Sequence, residues 1–341
     1  MEITDSRPKT KKQIDWLAIL RGSAVFLVTV FHATQNMKID EVTAQYIDNF
    51  NDLFIFRMPL FFFISGYLLY HTKIRKNGSF GSIVRERIPR IVIPYIVITM
   101  SVYFAKLAAE MYTNFDSEAE FSVKEIINIF LFPSVDSPWV TLWFLNTVLI
   151  FFLCYPLLKI SLKNIYTASL TLLILAVLHY VFFPGEKSVL DISQVFIYFL
   201  FFYFGIFFAR FGLLKYITAL FAVAGFILMA AGMFAYHFFE FEYFYLPYSL
   251  LGITVFIYLA LLCEKTVPTL FSSFRKYYYQ IYLLGMFFQT GVRVAYNLAG
   301  NENLLFVSVL LSIIFGLYGP VLVCKIAERL KWKPLLRILG F

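Results

Sequence analysis

Arg21 and His32 lie within the first long apolar run of the chain, residues 14–34, where a bilayer tolerates neither side chain without a partner or a task. Eleven positions at ~100° per residue close three helical turns with only ~20° left over. The guanidinium and the imidazole therefore share one helix face, ~16 Å apart along the axis. A neutral imidazole can accept a proton near pH 7. The functional reading is a site that holds an anionic or acyl-carrying ligand near Arg21 and transfers a proton at His32. The structural alternative is that Arg21 reaches one membrane interface and His32 the other.

A second set of cations lies in the 73–90 segment, where Arg85, Arg87 and Arg90 precede the third apolar run. Arginines three residues apart are neighbours on a helix and can grip phosphate in two-point fashion. Ordinary charge on a cytosolic loop accounts for them equally well. Pro89 and Pro94 each remove a backbone donor and speak against a straight helix there. Arg57 opens the run Arg57-Met58-Pro59-Leu60-Phe61-Phe62-Phe63-Ile64-Ser65-Gly66-Tyr67, in which Ser65 and Gly66 offer a small surface for close approach by a helix or a flexible ligand arm. With His32 and the Lys106–Glu110 pair, Arg57 outlines a polar vestibule on the outer side. Trp143, in Leu142-Trp143-Phe144-Leu145, suits substrate contact or an interfacial belt. His71, His179 and His237 read as interfacial. No metal box, glycine-rich phosphate loop or serine-nucleophile motif occurs, which leaves acid–base chemistry on bound reactants.

These residues need membrane helices to position them. The 341 residues are 60% hydrophobic and 20% aromatic, with a mean hydropathy of +0.76. That excess cannot be hidden in a soluble core, so the chain reads as an all-α integral membrane protein. Ten runs approach the ~20 residues that cross a bilayer: about 14–34, 53–72, 91–111, 139–160, 166–184, 192–210, 216–236, 244–263, 279–298 and 303–324. The basic start leads into a run long enough to span and without a small-residue cleavage site, so the first helix is expected to be retained.

The net charge of +8 is dealt out loop by loop, which makes it a topology signal and not a nucleic-acid footprint. Lysines and arginines concentrate before residue 14, at 73–90 and after Leu322, which places both termini in the cytosol. The 35–52, 112–138, 185–191, 237–243 and 299–302 segments face outward, and Val123 to Phe132 suits a short amphipathic interfacial helix. The organisation is a cytosolic tail (1–13), a ten-helix transmembrane domain (14–324) and a basic cytosolic tail (325–341). Cys154, Cys263 and Cys324 all lie in apolar runs, without ligand spacing, and read as core packing.

Taken in order, Arg21 with His32, Phe63-Ile64-Ser65-Gly66-Tyr67, Arg87 with Arg90-Ile91 and Pro94-Tyr95, and Leu142-Trp143-Phe144-Leu145 resemble the membrane acyltransferase type 3 family over nearly the whole chain. The resemblance implies O-acetylation of a hydroxyl on an envelope or exported polysaccharide in the bacterial inner membrane, with acetyl-CoA as donor and no metal. Its functional residues carry over to Arg21, His32, Arg87 and Arg90. Arg85 and Ser65 join the donor site on this reading, and Arg57 and Trp143 the acceptor site. The Met58-Pro59-Leu60-Phe61-Phe62 lead-in looks closest to the branch acting on exopolysaccharides and capsules. Relatives often carry an Asp where this chain has Ala18, with Asp15 one turn earlier, and a His where it has Gly285. No carboxylate among Asp15, Glu110 and Glu242 is placed to orient His32. Expected partners are a carbohydrate acceptor, membrane lipids and polysaccharide synthesis or export machinery, with no nucleic acid. The rival readings are a flippase for a lipid-linked saccharide, which would call for internal symmetry that the sequence lacks, and an inactive relative serving as an assembly partner.

Overall fold

The computed structural model describes residues 15–112, 122–235 and 241–341, all helix, turn and connection, with no strand among them. The first helix, α1 (Asp15–Thr34), carries Arg21 and His32 together, and His32 falls in its last turn. A polar helix follows, α2 (Glu41–Asp52), started by Asp40, whose carboxylate accepts the Thr43 amide at 2.9 Å. That cap satisfies an amide with no partner inside the helix. The expected second span forms α3 (Arg57–Leu69) and closes in a π-turn over Tyr70–Ile74.

The basic segment 73–90 is largely helical. It holds α4 (Phe80–Glu86), capped by Ser79, and the start of α5 (Ile88–Tyr112), with Arg87 as the single residue between them. Pro89 sits in the first turn of α5, where its missing amide costs nothing, whereas Pro94 lies inside the helix. The expected amphipathic segment is α6 (Val123–Leu131), with Ser122 accepting the Glu125 amide at 3.1 Å.

The fourth expected span is broken. It runs as α7 (Trp143–Leu153) and α8 (Tyr155–Ser161), bent by 58° where Cys154 precedes the Tyr155-Pro156 start of α8. Next come α9 (Ile165–Phe182), opened by a reciprocal cap between Asn164 and Thr167, and α10 (Ile192–Arg210). The remaining helices are α11 (Ala219–Ala235), α12 (Phe241–Thr266), α13 (Tyr278–Ala299), α14 (Leu305–Leu330) and α15 (Lys333–Ile338). Gly300, with φ of 60°, ends α13 in the left-handed conformation that glycine adopts without strain.

Seven of the described helices are long and apolar enough to cross a membrane, or eight if the bent α7–α8 pair is one span. The ten expected runs exceed this for physical reasons. Beyond the bent pair, α11 offers only the short apolar stretch Ala219–Met233, and α13 carries Gln280, Gln289 and Arg293 along its length. Large apolar side chains such as Leu170, Leu173, Phe226 and Phe306 are exposed on helix flanks. Water would penalise such surfaces and lipid does not, so the chain is a multi-pass membrane protein.

The chain divides into two compact units, Met1–Ile64 with Leu214–Val323, and Ser65–Leu213 with Cys324–Phe341. In the first, α1 packs against α12 and α13, and α11 against α12. Phe56 lies against Gly252 of α12 with its ring 5.0 Å from that of Phe256, in a place that a larger residue at 252 would fill. In the second, α9 and α10 pair closely, and Gly66 lies directly on the Phe202 backbone carbonyl. The small Ser65-Gly66 surface is thus a helix-packing device at Gly66.

Candidate active site

The residues expected to carry chemistry separate between the two units. In the first, His32 is half-buried at the end of α1. Its Nδ1 lies 2.6 Å from Oε1 of Gln35 in the turn that follows. With the amide oxygen as acceptor, Nδ1 carries the proton and Nε2 keeps the lone pair a general base needs. Gln35 therefore stands where a carboxylate was sought. The side chains of Asp15, Glu110 and Glu242 lie outside the described residues, as do His237 and the acidic stretch Asp116 to Glu120. The last carbonyls of α1 give its C-terminus a partial negative charge, which favours an imidazolium at His32 when one forms.

Arg57 opens α3 with its guanidinium 3.5 Å from the centre of the Phe31 ring. Its Nη1 donates to the carbonyls of Asn51 and Phe54 at 3.2 and 3.1 Å, tying down the end of α2. The Phe31 ring in turn meets the His32 ring edge-on at 5.0 Å. A cleft of about 190 Å³ lies beside them between Phe26, Val30 and Phe31 of α1, Phe50 and Phe54 at the α2 end, and Arg57. Three turns down α1, Arg21 places its guanidinium 4.9 Å from the Tyr278 ring centre, and its buried Nε makes no hydrogen bond.

Two residues of α13 that the sequence reading passed over bind the final turns of α1. Gln289, almost fully buried, donates its amide to the Thr29 carbonyl at 2.7 Å. One turn later, Arg293 donates Nη2 to the His32 carbonyl at 3.3 Å, and the charges of Arg57 and Arg293 both bear on the imidazole. A signal for Arg293 was present, since an arginine within an apolar run is the same criterion that singles out Arg21.

The second unit holds the other expected residues. Arg87 is half-buried and donates Nη2 to the Thr72 hydroxyl at 2.9 Å. Next to it, Lys73 pairs with Glu86 at 2.9 Å and donates to the Ser82 hydroxyl at 3.2 Å, joining the π-turn to α4. Arg85 and Arg90 are exposed and flank Arg87, so the three form one basic rim. Ser65 and Trp143 are half-buried, and the Trp143 ring lies 5.2 Å from that of Tyr198. Lys106 also belongs to this unit; the vestibule expected from it and His32 is not a cluster within either unit. His179, expected at the interface, is fully buried, with Nδ1 2.8 Å from the Ile197 carbonyl on α10. That partner is 18 residues away, so tertiary pairing of α9 with α10 overrides its position at a span end. His71 lies half-buried in the π-turn.

Cys154 and Cys263 are half-buried and Cys324 is buried, and none of the three is in a disulfide. Among the described residues, no three His, Cys, Asp or Glu side chains converge as metal ligands. A family profile described as an acyltransferase domain matches residues 14–325 of the 341. No curated protein and no solved structure matches the chain.

Proposed function

Because the chain belongs to the membrane acyltransferase type 3 family, and is thus a multi-pass membrane acyltransferase, we propose that it moves an acetyl group from acetyl-CoA to a polysaccharide hydroxyl. The observation that carries the reading is the His32–Gln35 contact, which fixes an imidazole with a free basic nitrogen at the end of a membrane helix. His32 removes the acceptor's hydroxyl proton, a step typically worth about 10²–10⁴-fold. The hydroxyl oxygen attacks the thioester carbonyl, and CoA leaves as the thiol.

Arg87 and Arg90, aided by Arg85, bind the phosphates of the coenzyme from the cytosol. By the family resemblance, Arg21 and Ser65 are assigned to its pantetheine arm. A helix that begins near residue 14 has risen ~27 Å by His32, a distance comparable to the extended arm. The acceptor, an exported or envelope glycan, is met from the outer side of the bacterial inner membrane, where Arg57 and Trp143 contact the sugar. Incubating purified protein with radiolabelled acetyl-CoA and a panel of exopolysaccharide fragments tests the reading. Label is expected on an acceptor hydroxyl. Transport of a lipid-linked saccharide without any transfer of label would overturn it.

A further inference from the structure

Arg293 lies within α13, a helix packed onto α1, where a cation among apolar residues calls for a partner or a task. Among the described residues no carboxylate forms an ion pair with it. Its buried Nε makes no hydrogen bond, while Nη2 reaches the His32 carbonyl at 3.3 Å. Together with Arg57, it sets a positive charge near the imidazole that must itself become positive during proton transfer. Like charges oppose that event.

The opposition disappears if a negative charge forms in the same place at the same moment. Attack by a hydroxyl on a thioester creates one. The oxygen's electron pair bonds to the carbonyl carbon, the carbonyl π pair moves onto its oxygen, and the proton passes to His32 Nε2. Collapse restores the carbonyl and expels the CoA sulfur with its bonding pair, and the imidazolium returns the proton to that sulfur. Between the two steps an anionic oxygen and an imidazolium coexist beside Arg293.

We infer that Arg293 is a further catalytic residue, whose guanidinium stabilises the anionic acyl oxygen formed as His32 takes the acceptor's proton. A cation fixed before reaction opposes the imidazolium alone and favours the imidazolium–oxyanion pair, so its benefit falls on the transition state. Arg293 also caps a terminal carbonyl of α1, a role that an uncharged donor can fill.

The inference rests on the acetyl-transfer reading, and the test separates the two. Arg293→Gln keeps a donor for the His32 carbonyl and loses the charge, whereas Arg293→Lys keeps the charge and loses the fork. With the full chain in detergent, labelled acetyl-CoA and the glycan fragment that the parent acetylates, Arg293→Gln should lower kcat by about 10²-fold or more. The KM for both substrates should stay within about threefold, and Arg293→Lys should retain roughly tenfold more activity than Arg293→Gln. Parental kcat in Arg293→Gln, a rise in KM alone, or equal rates for the Gln and Lys variants would each overturn the inference. If Arg293→Gln does not fold, Arg293→Met, which also removes the charge, takes its place: lowered kcat at unchanged KM supports the role, and parental kcat overturns it. A parent that transfers no acetyl overturns the acetyl-transfer reading and this inference with it, whereas an active parent with an unimpaired Arg293→Gln variant overturns this inference alone.

Discussion

Gln35 Oε1 lies 2.6 Å from His32 Nδ1, so a neutral amide one turn beyond the imidazole sets which of its nitrogens is basic. An amide orients without adding charge, unlike the carboxylate of a Ser-His-Asp arrangement. Replacing Gln35 by Ala leaves His32 free to rotate and to change tautomer. The lost hydrogen bond is worth about 0.5–1.5 kcal/mol. Acetyl transfer should therefore fall roughly three- to tenfold with acetyl-CoA binding retained. Steady-state kinetics checks this, and an unchanged kcat would remove Gln35 from the mechanism.

The coenzyme role proposed for the basic rim is separable from the bond that Arg87 makes to Thr72. Arg87→Ala and Arg90→Ala each remove a charge-assisted phosphate contact worth about 1.5–3 kcal/mol, so acetyl-CoA affinity should weaken roughly tenfold or more. Thr72→Val removes the acceptor of the Arg87 bond and the hydroxyl's own bond to the Leu68 carbonyl, and no phosphate contact, so it should leave affinity within about threefold. Equilibrium binding measures both. Equal weakening by Thr72→Val and Arg87→Ala would assign Arg87 to holding the π-turn against the junction of α4 and α5.

At Gly66 a Cβ would collide with the Phe202 carbonyl, and a backbone atom cannot swing aside as a side chain can. Gly66→Ala should destabilise the protein by about 1–3 kcal/mol and lower its unfolding temperature in detergent. Parental stability would show that α3 and α10 have room to separate.

The loop charges predict that Lys76 faces the cytosol and Glu186 the exterior. Both are exposed. In a background lacking Cys154, Cys263 and Cys324, a membrane-impermeant thiol reagent should label Glu186→Cys in intact cells and Lys76→Cys only after the membrane is opened. The reverse pattern would invert the direction of acetyl transfer.

What was legible in the sequence was local. Arg21 and His32 share α1 because their spacing is a property of one helix, and Val123 to Leu131 forms α6 because a capping serine and an amphipathic pattern suffice. What escaped depends on residues distant in the chain or on a turn. Gln35 matters only because the chain after Thr34 brings its amide to the ring. His179 looks interfacial until α10 supplies the Ile197 carbonyl. Arg293 was within reach of the rule applied to Arg21, but a segment read for its apolar content conceals a single cation. The same polar residues explain why α13 is not among the seven apolar spans.

The central claim is that His32 is the base, and acetyl transfer by His32→Gln protein tests it most directly. Glutamine preserves size and hydrogen bonding but has no nitrogen that takes a proton near neutral pH. Purified protein that inserts normally and binds acetyl-CoA as the parent does should transfer acetyl at least about 10²-fold more slowly. Near-parental turnover by that same protein would contradict the assignment and leave His32 as a packing residue of the last turn of α1.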